Sequence, residues 1–175
     1  MSNEKKLKVA IIGVGNIGSA HAAAIYSGKI EHMQLVALCD IDAVKAEHLR
    51  HNYPDIPVFT STEELFDSRL AEAVVIATPH YYHPPIAIDA FGRGLHVLTE
   101  KPAGVDRKSA RAMCEAADRS GKLFGVMFNQ RANKLFAEAK RIVSSGELGE
   151  LKRIVWIITN WYRKQCYYDS GSWRA

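Results

Sequence analysis

Glu100-Lys101-Pro102 places a lysine directly after an apolar run, His96-Val97-Leu98-Thr99, that reads as a strand. In open α/β sheets ligands lie beyond the carboxyl ends of the strands, so Lys101 is set where a reaction would occur. An ammonium there can hold a substrate oxygen and stabilise negative charge that develops on it. The alternative is a solvated lysine after a strand, a common state of that residue. Its place at the ligand-facing edge and the adjoining proline weigh for the first reading.

A second set of residues names a partner for that chemistry. Gly13-Val14-Gly15-Asn16-Ile17-Gly18 is G-x-G-x-x-G, with a strand pattern before it and a helix pattern after it. Gly13 permits the tight turn, Gly15 lets the backbone approach a pyrophosphate, and Gly18 lets the helix pack closely on the strand. The helix start offers free N–H groups and a positive dipole end to phosphate. Asp40 stands 22 residues after Gly18, at the end of the second strand pattern, where an acid would accept a hydrogen bond from a ribose 2′-OH. Ile41 and Asp42 follow it, with no arginine directly after Asp40. A carboxylate there repels a 2′-phosphate, which favours NAD over NADP. Asp42 reads as the cap of the next helix. A methyltransferase also carries a glycine-rich first turn and an acid after strand two, but has no use for Glu-Lys-Pro at strand five.

These residues need a scaffold, and strand and helix signals alternate to supply one. Strands are expected at Lys8–Ile12, Gln34–Cys39, Val58–Thr60, Ala73–Ala77, His96–Thr99 and Leu123–Phe128, as short apolar runs of the kind buried in parallel sheets. The first helix, about Ile17 to Ser27, is expected to turn Ile17, Ala20, Ala24 and Ile25 inward. Ala46, Leu49 and Tyr53 face inward on the second, and Ser61-Thr62-Glu63-Glu64 has capping-box spacing. Pro84 and Pro85 open a helix with Ile86, Ala87, Ala90 and Phe91 on one side. Asp106 caps another with Ala110, Met113, Cys114 and Ala117 facing in. The order implies an α/β fold, a doubly wound parallel (Rossmann) sheet with helices on both faces. It fills residues 1–128.

The pattern changes in residues 129–175. A helix from about Asn133 to Ser145 carries Leu135, Ala139, Ile142 and Val143 on one face. A strand is expected over Leu151–Thr159, then an aromatic and basic tail through Trp173. One strand cannot bury both faces alone, so this part reads as the start of an incomplete α+β second domain. It is the expected route to a homo-oligomer.

Composition excludes several classes. Hydrophobic content of 47% and charged content of 24% are those of an ordinary globular protein. The net charge of +4 comes from scattered short clusters with acidic residues between them, which argues against nucleic acid as a partner. No apolar run reaches the roughly 20 residues of a membrane span, and the amino terminus has no signal-peptide pattern, so a cytoplasmic location is expected. Cys39, Cys114 and Cys166 are odd in number and far apart, which fits neither a disulfide framework nor zinc; Cys39 and Cys114 read as small buried hydrophobes. The histidine pairs His80/His83 and His48/His51 each lack a third ligand at metal spacing.

Four motifs in order, Gly13 to Gly18, Ala77-Thr78-Pro79 with His83, Glu100-Lys101-Pro102 and Ser145-Gly146-Glu147-Leu148-Gly149, resemble the Gfo/Idh/MocA family of NAD(P)-dependent oxidoreductases. The resemblance covers essentially the whole chain and implies a dehydrogenase of sugars, cyclitols or related polyols. It implies that Lys101 contacts both nicotinamide ribose and the reacting oxygen, that Glu100 orients the site, and that Pro102 follows a cis peptide bond. It makes Ala77-Thr78-Pro79 the wall beside the nicotinamide. His83 is either a ligand contact or a helix-start histidine paired with backbone. Arg131, Tyr162 and Arg163 are the candidate substrate contacts. The resemblance also implies an Asp and a His beyond Ala175 that complete catalysis. The chain thus reads as the cofactor part of such an enzyme, or alternatively as a truncated, non-catalytic NAD(H)-binding module.

Overall fold

In the computed structural model, which describes residues 5–159, 162–169 and 171, six strands form one parallel sheet. They are β1 (Leu7–Ile12), β2 (Met33–Cys39), β3 (Val58–Phe59), β4 (Ala73–Ile76), β5 (His96–Thr99) and β6 (Phe124–Val126), in the order β3-β2-β1-β4-β5-β6. Neighbouring β1 and β4 mark the point where the strand order reverses, the usual ligand edge of such sheets. The helices between them are α1 (Asn16–Tyr26), α2 (Ala43–Asn52), α3 (Thr62–Asp67), α4 (His83–Gly92) and α5 (Arg107–Ser120).

Side chains alternate across each strand, so the sheet builds two cores. Ala10, Ile12, Val74, Ile76 and Val97 pack with Leu65 of α3, Phe91 of α4 and Met113 of α5. Val9, Ile11, Leu35, Leu38 and Val75 pack with Ala22 and Ile25 of α1 and Leu49 of α2. Both faces are therefore covered, as a parallel sheet requires. The helix starts are specified locally: Asp42 accepts from Val44 and Lys45 N–H, Ser61 from Glu63 and Glu64 N–H, and Asp106 from Ser109 N–H.

In this sheet and its helices the structure departs from expectation at three points. On α1 the buried side is Gly18, Ala22 and Ile25, while Ile17 and Ala20 face solvent. The close approach at Gly18 fixes the helix's rotation, and Ala22 and Ile25 follow from it at helical spacing. On α5 the buried residues are Met113, Ala116 and Ala117, and Cys114 is exposed. A helix turns ~100° per residue, and a face centred on Met113 and Ala116 leaves Cys114 well outside it. The sixth strand is shorter than Leu123–Phe128, although ladder bonds from Val97 N–H to Leu123 O and from Met127 N–H to Thr99 O flank it.

The chain divides into two compact units, Met1–Met127 and Phe128–Ala175. The second contains α6 (Lys134–Ser145), capped by Asn133, and a short α7 (Gln165–Asp169). Residues 151–159 form no strand, contrary to expectation, and Ile154, Val155, Trp156 and Ile157 are exposed. A strand exists through its ladder, and no other described segment of this unit pairs with it. Leu135 and Val143 of α6 are exposed too. Trp161 and Trp173 of the expected tail lie outside the described residues. Among the described residues, no helix is long and apolar enough to cross a membrane.

Candidate functional site

Main-chain bonds align the carboxyl ends of four strands. Gly13 N–H donates to Cys39 O (2.8 Å), Ala77 N–H to Ile12 O (2.7 Å) and Glu100 N–H to Ile76 O (2.8 Å). The glycine turn, the Ala77-Thr78-Pro79 turn and the Glu100-Lys101-Pro102 turn therefore sit side by side at the point where strand order reverses. Sequence motifs up to 87 residues apart share one edge.

Gly13 and Gly18 leave no room for side chains. A Cβ on Gly13, at φ +84°, would lie 2.7 Å from Thr78 N, and a Cβ on Gly18 would lie 2.0 Å from Gly13 O. The same carbon on Gly15 would meet nothing within 4 Å, so the backbone there is open to a ligand. Gly15 is the N-cap of α1 and supplies no side-chain cap, and no acidic residue stands in the first turn. The first N–H groups of α1 are thus unclaimed by side chains, and nothing there opposes a phosphate. Asn16 and Ile17 are exposed beside them.

Asp40 is buried. Its Oδ2 accepts from Val14 N–H at 2.8 Å and its Oδ1 from Asp42 N–H at 3.1 Å, so it ties the glycine turn to the end of β2. Ile41 beside it is 90% exposed, the strongest exposure of any large apolar side chain among the described residues. Asp42 does cap α2, and two N–H bonds, with Lys45 nearby, hold its carboxyl below the usual range. Cys39 is pushed up to about 12, by burial first and then by the Asp40 and Glu64 carboxylates.

At the other side, the Lys101–Pro102 peptide bond is cis. Glu100 is buried, and its Oε2 accepts from Lys101 N–H at 3.2 Å. Its Oε1 lies 2.9 Å from Nε2 of His21, on α1. His21 escaped the reading of the sequence. Three residues past Gly18 on α1 is one turn along the same helix side, and that spacing was the available signal. Lys101 and Pro102 are exposed at the edge.

His83 is fully buried. Its Nδ1 lies 2.8 Å from Pro102 O and its Nε2 2.7 Å from Thr78 O. The ring thus links the two turns, and with both nitrogens on main-chain carbonyls it offers no atom to a ligand. His80, 5.8 Å from it ring to ring, is held below the usual histidine range by burial, then by the charges of His83 and Lys101. Thr78 Oγ1 is buried and has no hydrogen-bond partner among the described residues. An orphaned hydroxyl beside an open glycine turn suits a ligand with polar groups to share.

Three candidate substrate contacts belong to the second unit. Arg131 lies over the Phe128 ring at 5.4 Å and Arg163 over Tyr167 at 4.0 Å, and Tyr162 is exposed. A concavity of about 600 Å³ exists elsewhere, at the opposite end of β4 and β5, lined by Glu72, Leu95, His96 and Lys122 among others. Arg93 in its wall is already paired with Asp67 and Asp89, and Glu72 with Lys5. No group of three or more metal-ligating side chains occurs among the described residues.

A family model described as an oxidoreductase family with an NAD-binding Rossmann fold, Gfo/Idh/MocA, matches residues 7–128. The chain belongs to the Gfo/Idh/MocA family. Its relatives include inositol 2-dehydrogenase 4 of Saccharopolyspora erythraea, 37% identical over 85% of this chain and 44% of that protein. Glucose-6-phosphate 3-dehydrogenase of Bacillus subtilis is 31% identical over 84% of this chain and 41% of its own length. Among solved structures, the WlbA dehydrogenase of Bordetella pertussis, in complex with NADH and UDP-GlcNAcA, superposes with a TM-score of 0.85 at 27% identity. It covers 97% of this chain and 51% of that one. Scyllo-inositol dehydrogenase of Lactobacillus casei, with NAD(H) and scyllo-inositol, gives 0.77 at 26% identity over 83% and 43%. The chain therefore spans about half the length, or less, of the proteins it matches.

Proposed function

We propose that the Met1–Met127 unit is the NAD(H) site of a dehydrogenase acting on a cyclitol, sugar or related polyol. The observation that carries it is the shared edge: an open glycine turn, a buried Asp40, an orphaned Thr78 hydroxyl and an exposed Lys101 on adjacent strand ends. The turn from Gly13 to Gly18 and the start of α1 receive the pyrophosphate. Asp40 accepts from the adenosine ribose and Ile41 covers the adenine. Thr78 and Pro79 line the nicotinamide side. NAD is favoured over NADP because Asp40 meets a 2′-phosphate with like charge.

When bound, the nicotinamide supplies the hydride acceptor or donor. Lys101 holds the reacting oxygen and stabilises charge on it. Glu100 fixes the Lys101 main chain, and His83 fixes the two turns relative to each other through Thr78 O and Pro102 O. Arg131, Tyr162 and Arg163 remain candidates for contact with substrate hydroxyls. The cofactor reading is tested by titrating the chain with NADH and following nicotinamide fluorescence. Saturable binding lost on Gly15→Asp supports it, and no binding by the folded chain rejects it.

A second reading is an NAD(H)-binding module without turnover of its own, since α6 and α7 of the second unit hold no buried residue. Mixing the chain with NAD and myo-inositol, scyllo-inositol or glucose 6-phosphate separates the two. NADH formed at a rate that depends on Lys101 selects the enzyme; binding without turnover selects the module.

A further inference from the structure

We propose that His21 is a positioning residue that occupies the Glu100 carboxylate and so keeps the Lys101 ammonium free for a ligand oxygen. The inference rests on the reading of Lys101 just given. Glu100 is 8% exposed, and a buried carboxylate requires partners to offset its lost hydration. Its two described partners divide it. Oε1 takes His21 Nε2 at 2.9 Å, across 79 residues of sequence, and Oε2 takes the Lys101 N–H at 3.2 Å.

The second bond draws the carboxylate against the Lys101 main chain, within reach of that residue's own flexible four-carbon stem. Lys101 is thus the cation best placed to neutralise Glu100 if the carboxylate were available. An ammonium held by Glu100 could not also hold a substrate oxygen without breaking that pair. In the structure Lys101 forms no ion pair with any described residue, and it is exposed. The hold does not require a charged ring, because Nε2–H donates to a carboxylate in one neutral tautomer and in the imidazolium alike. His21 also sits on the helix whose start carries the glycine turn, three residues past Gly18. The helix that would receive phosphate therefore also places the group that holds Glu100.

The experiment measures the reactivity of Lys101 in the 175-residue chain with no cofactor present. Limited acylation by acetic anhydride is read by peptide mass spectrometry, with exposed Lys140 of α6 as the internal reference. His21→Leu removes the donor and should lower Lys101 acylation relative to Lys140 by about tenfold, because a side chain held in a new ion pair with Glu100 is no longer presented to the reagent. His21→Gln keeps an N–H donor and should stay near the wild-type ratio. Adding Glu100→Gln to His21→Leu removes the competing carboxylate and should restore it. A merely structural role for His21 would not produce that rescue. Circular dichroism checks folding, and His21→Ser replaces His21→Leu if the latter does not fold. An unchanged Lys101 ratio in the folded donor-less variant, or no rescue by Glu100→Gln, overturns the proposal. Because no cofactor is used, failure of the wild-type chain to bind NADH would count against the proposed function and leave this measurement standing.

Discussion

Asp40 faces two demands at once. Its carboxylate already accepts from Val14 and Asp42 N–H, and in the proposed function it also takes a ribose hydroxyl. An ionised carboxylate has about four acceptor sites, so both can be met. Asp40→Ala should then have two separable effects. The tighter binding of NADH over NADPH, expected at about 100-fold from like-charge repulsion, should narrow to within about tenfold. Binding of both should also weaken, because Val14 N–H loses its acceptor at a cost of about 1–3 kcal/mol. Calorimetric titration of both cofactors reads each effect, and an unchanged ratio would remove Asp40 from the ribose site. The residues proposed to meet ligands were legible as a group because motif spacing encodes their place: Gly13, Gly15, Asp40 and Lys101 all fall on the shared edge. The residues that hold others were not. His21 reaches Glu100 across 79 positions, and only the packing of α1 on the sheet brings them together. His83 was visible, but its two carbonyl partners come from turns 24 residues apart, so its supporting role became readable only from the fold.

At the scale of elements, the strand-turn-helix unit from β1 to α1 depends on Gly18. A methyl group there would lie 2.0 Å from Gly13 O, and the neighbour is main chain that cannot swing aside. Gly18→Ala should destabilise the first unit by about 3 kcal/mol or more and abolish NADH binding, as read by urea midpoint and fluorescence. The alkaline limb of stability belongs to β2. Cys39 ionises near 9.0 in the unfolded chain and at about 12 in the fold. Between those values the unfolded state gives up a proton that the folded state keeps, so stability is fully present below pH 9 and falls as pH rises. The slope contributed is about 1.36 kcal/mol per pH unit. Urea midpoints measured from pH 8 upward should fall more steeply for the wild type than for Cys39→Ala; equal slopes would refute the assignment. Strand positions were legible because buried parallel strands are short apolar runs, as in Ala73–Ile76. Helix faces were legible only in part. On α1 a steric contact at Gly18, rather than the apolar residues, set the rotation, and that contact leaves no mark in hydropathy.

At the scale of the molecule, the two units differ in how they are held. The first has a sheet buried on both faces, with Ile11, Leu38 and Val74 fully enclosed. The second has no buried residue in α6 or α7 and no strand over 151–159. The strand expected there had the right composition, since the run from Ile154 to Ile158 is all β-branched or aromatic, but composition cannot provide a ladder partner. Pairing is a non-local property, and that part of the reading failed for this reason. Exposed backbone with few buried contacts opens at low free energy, and proteolysis follows such openings. Chymotrypsin should therefore cut first at Trp156 or Tyr162, both well exposed. Phe66 and Phe91, buried in the first unit, become available only through opening of its core. The expected early product is a chain of about 155 residues, followed by a core that retains residues 7–127 and still binds NADH. Mass spectrometry of a time course identifies the cuts. A product that has lost NADH binding while residues 7–127 are intact would show that the first unit does not carry the cofactor site by itself.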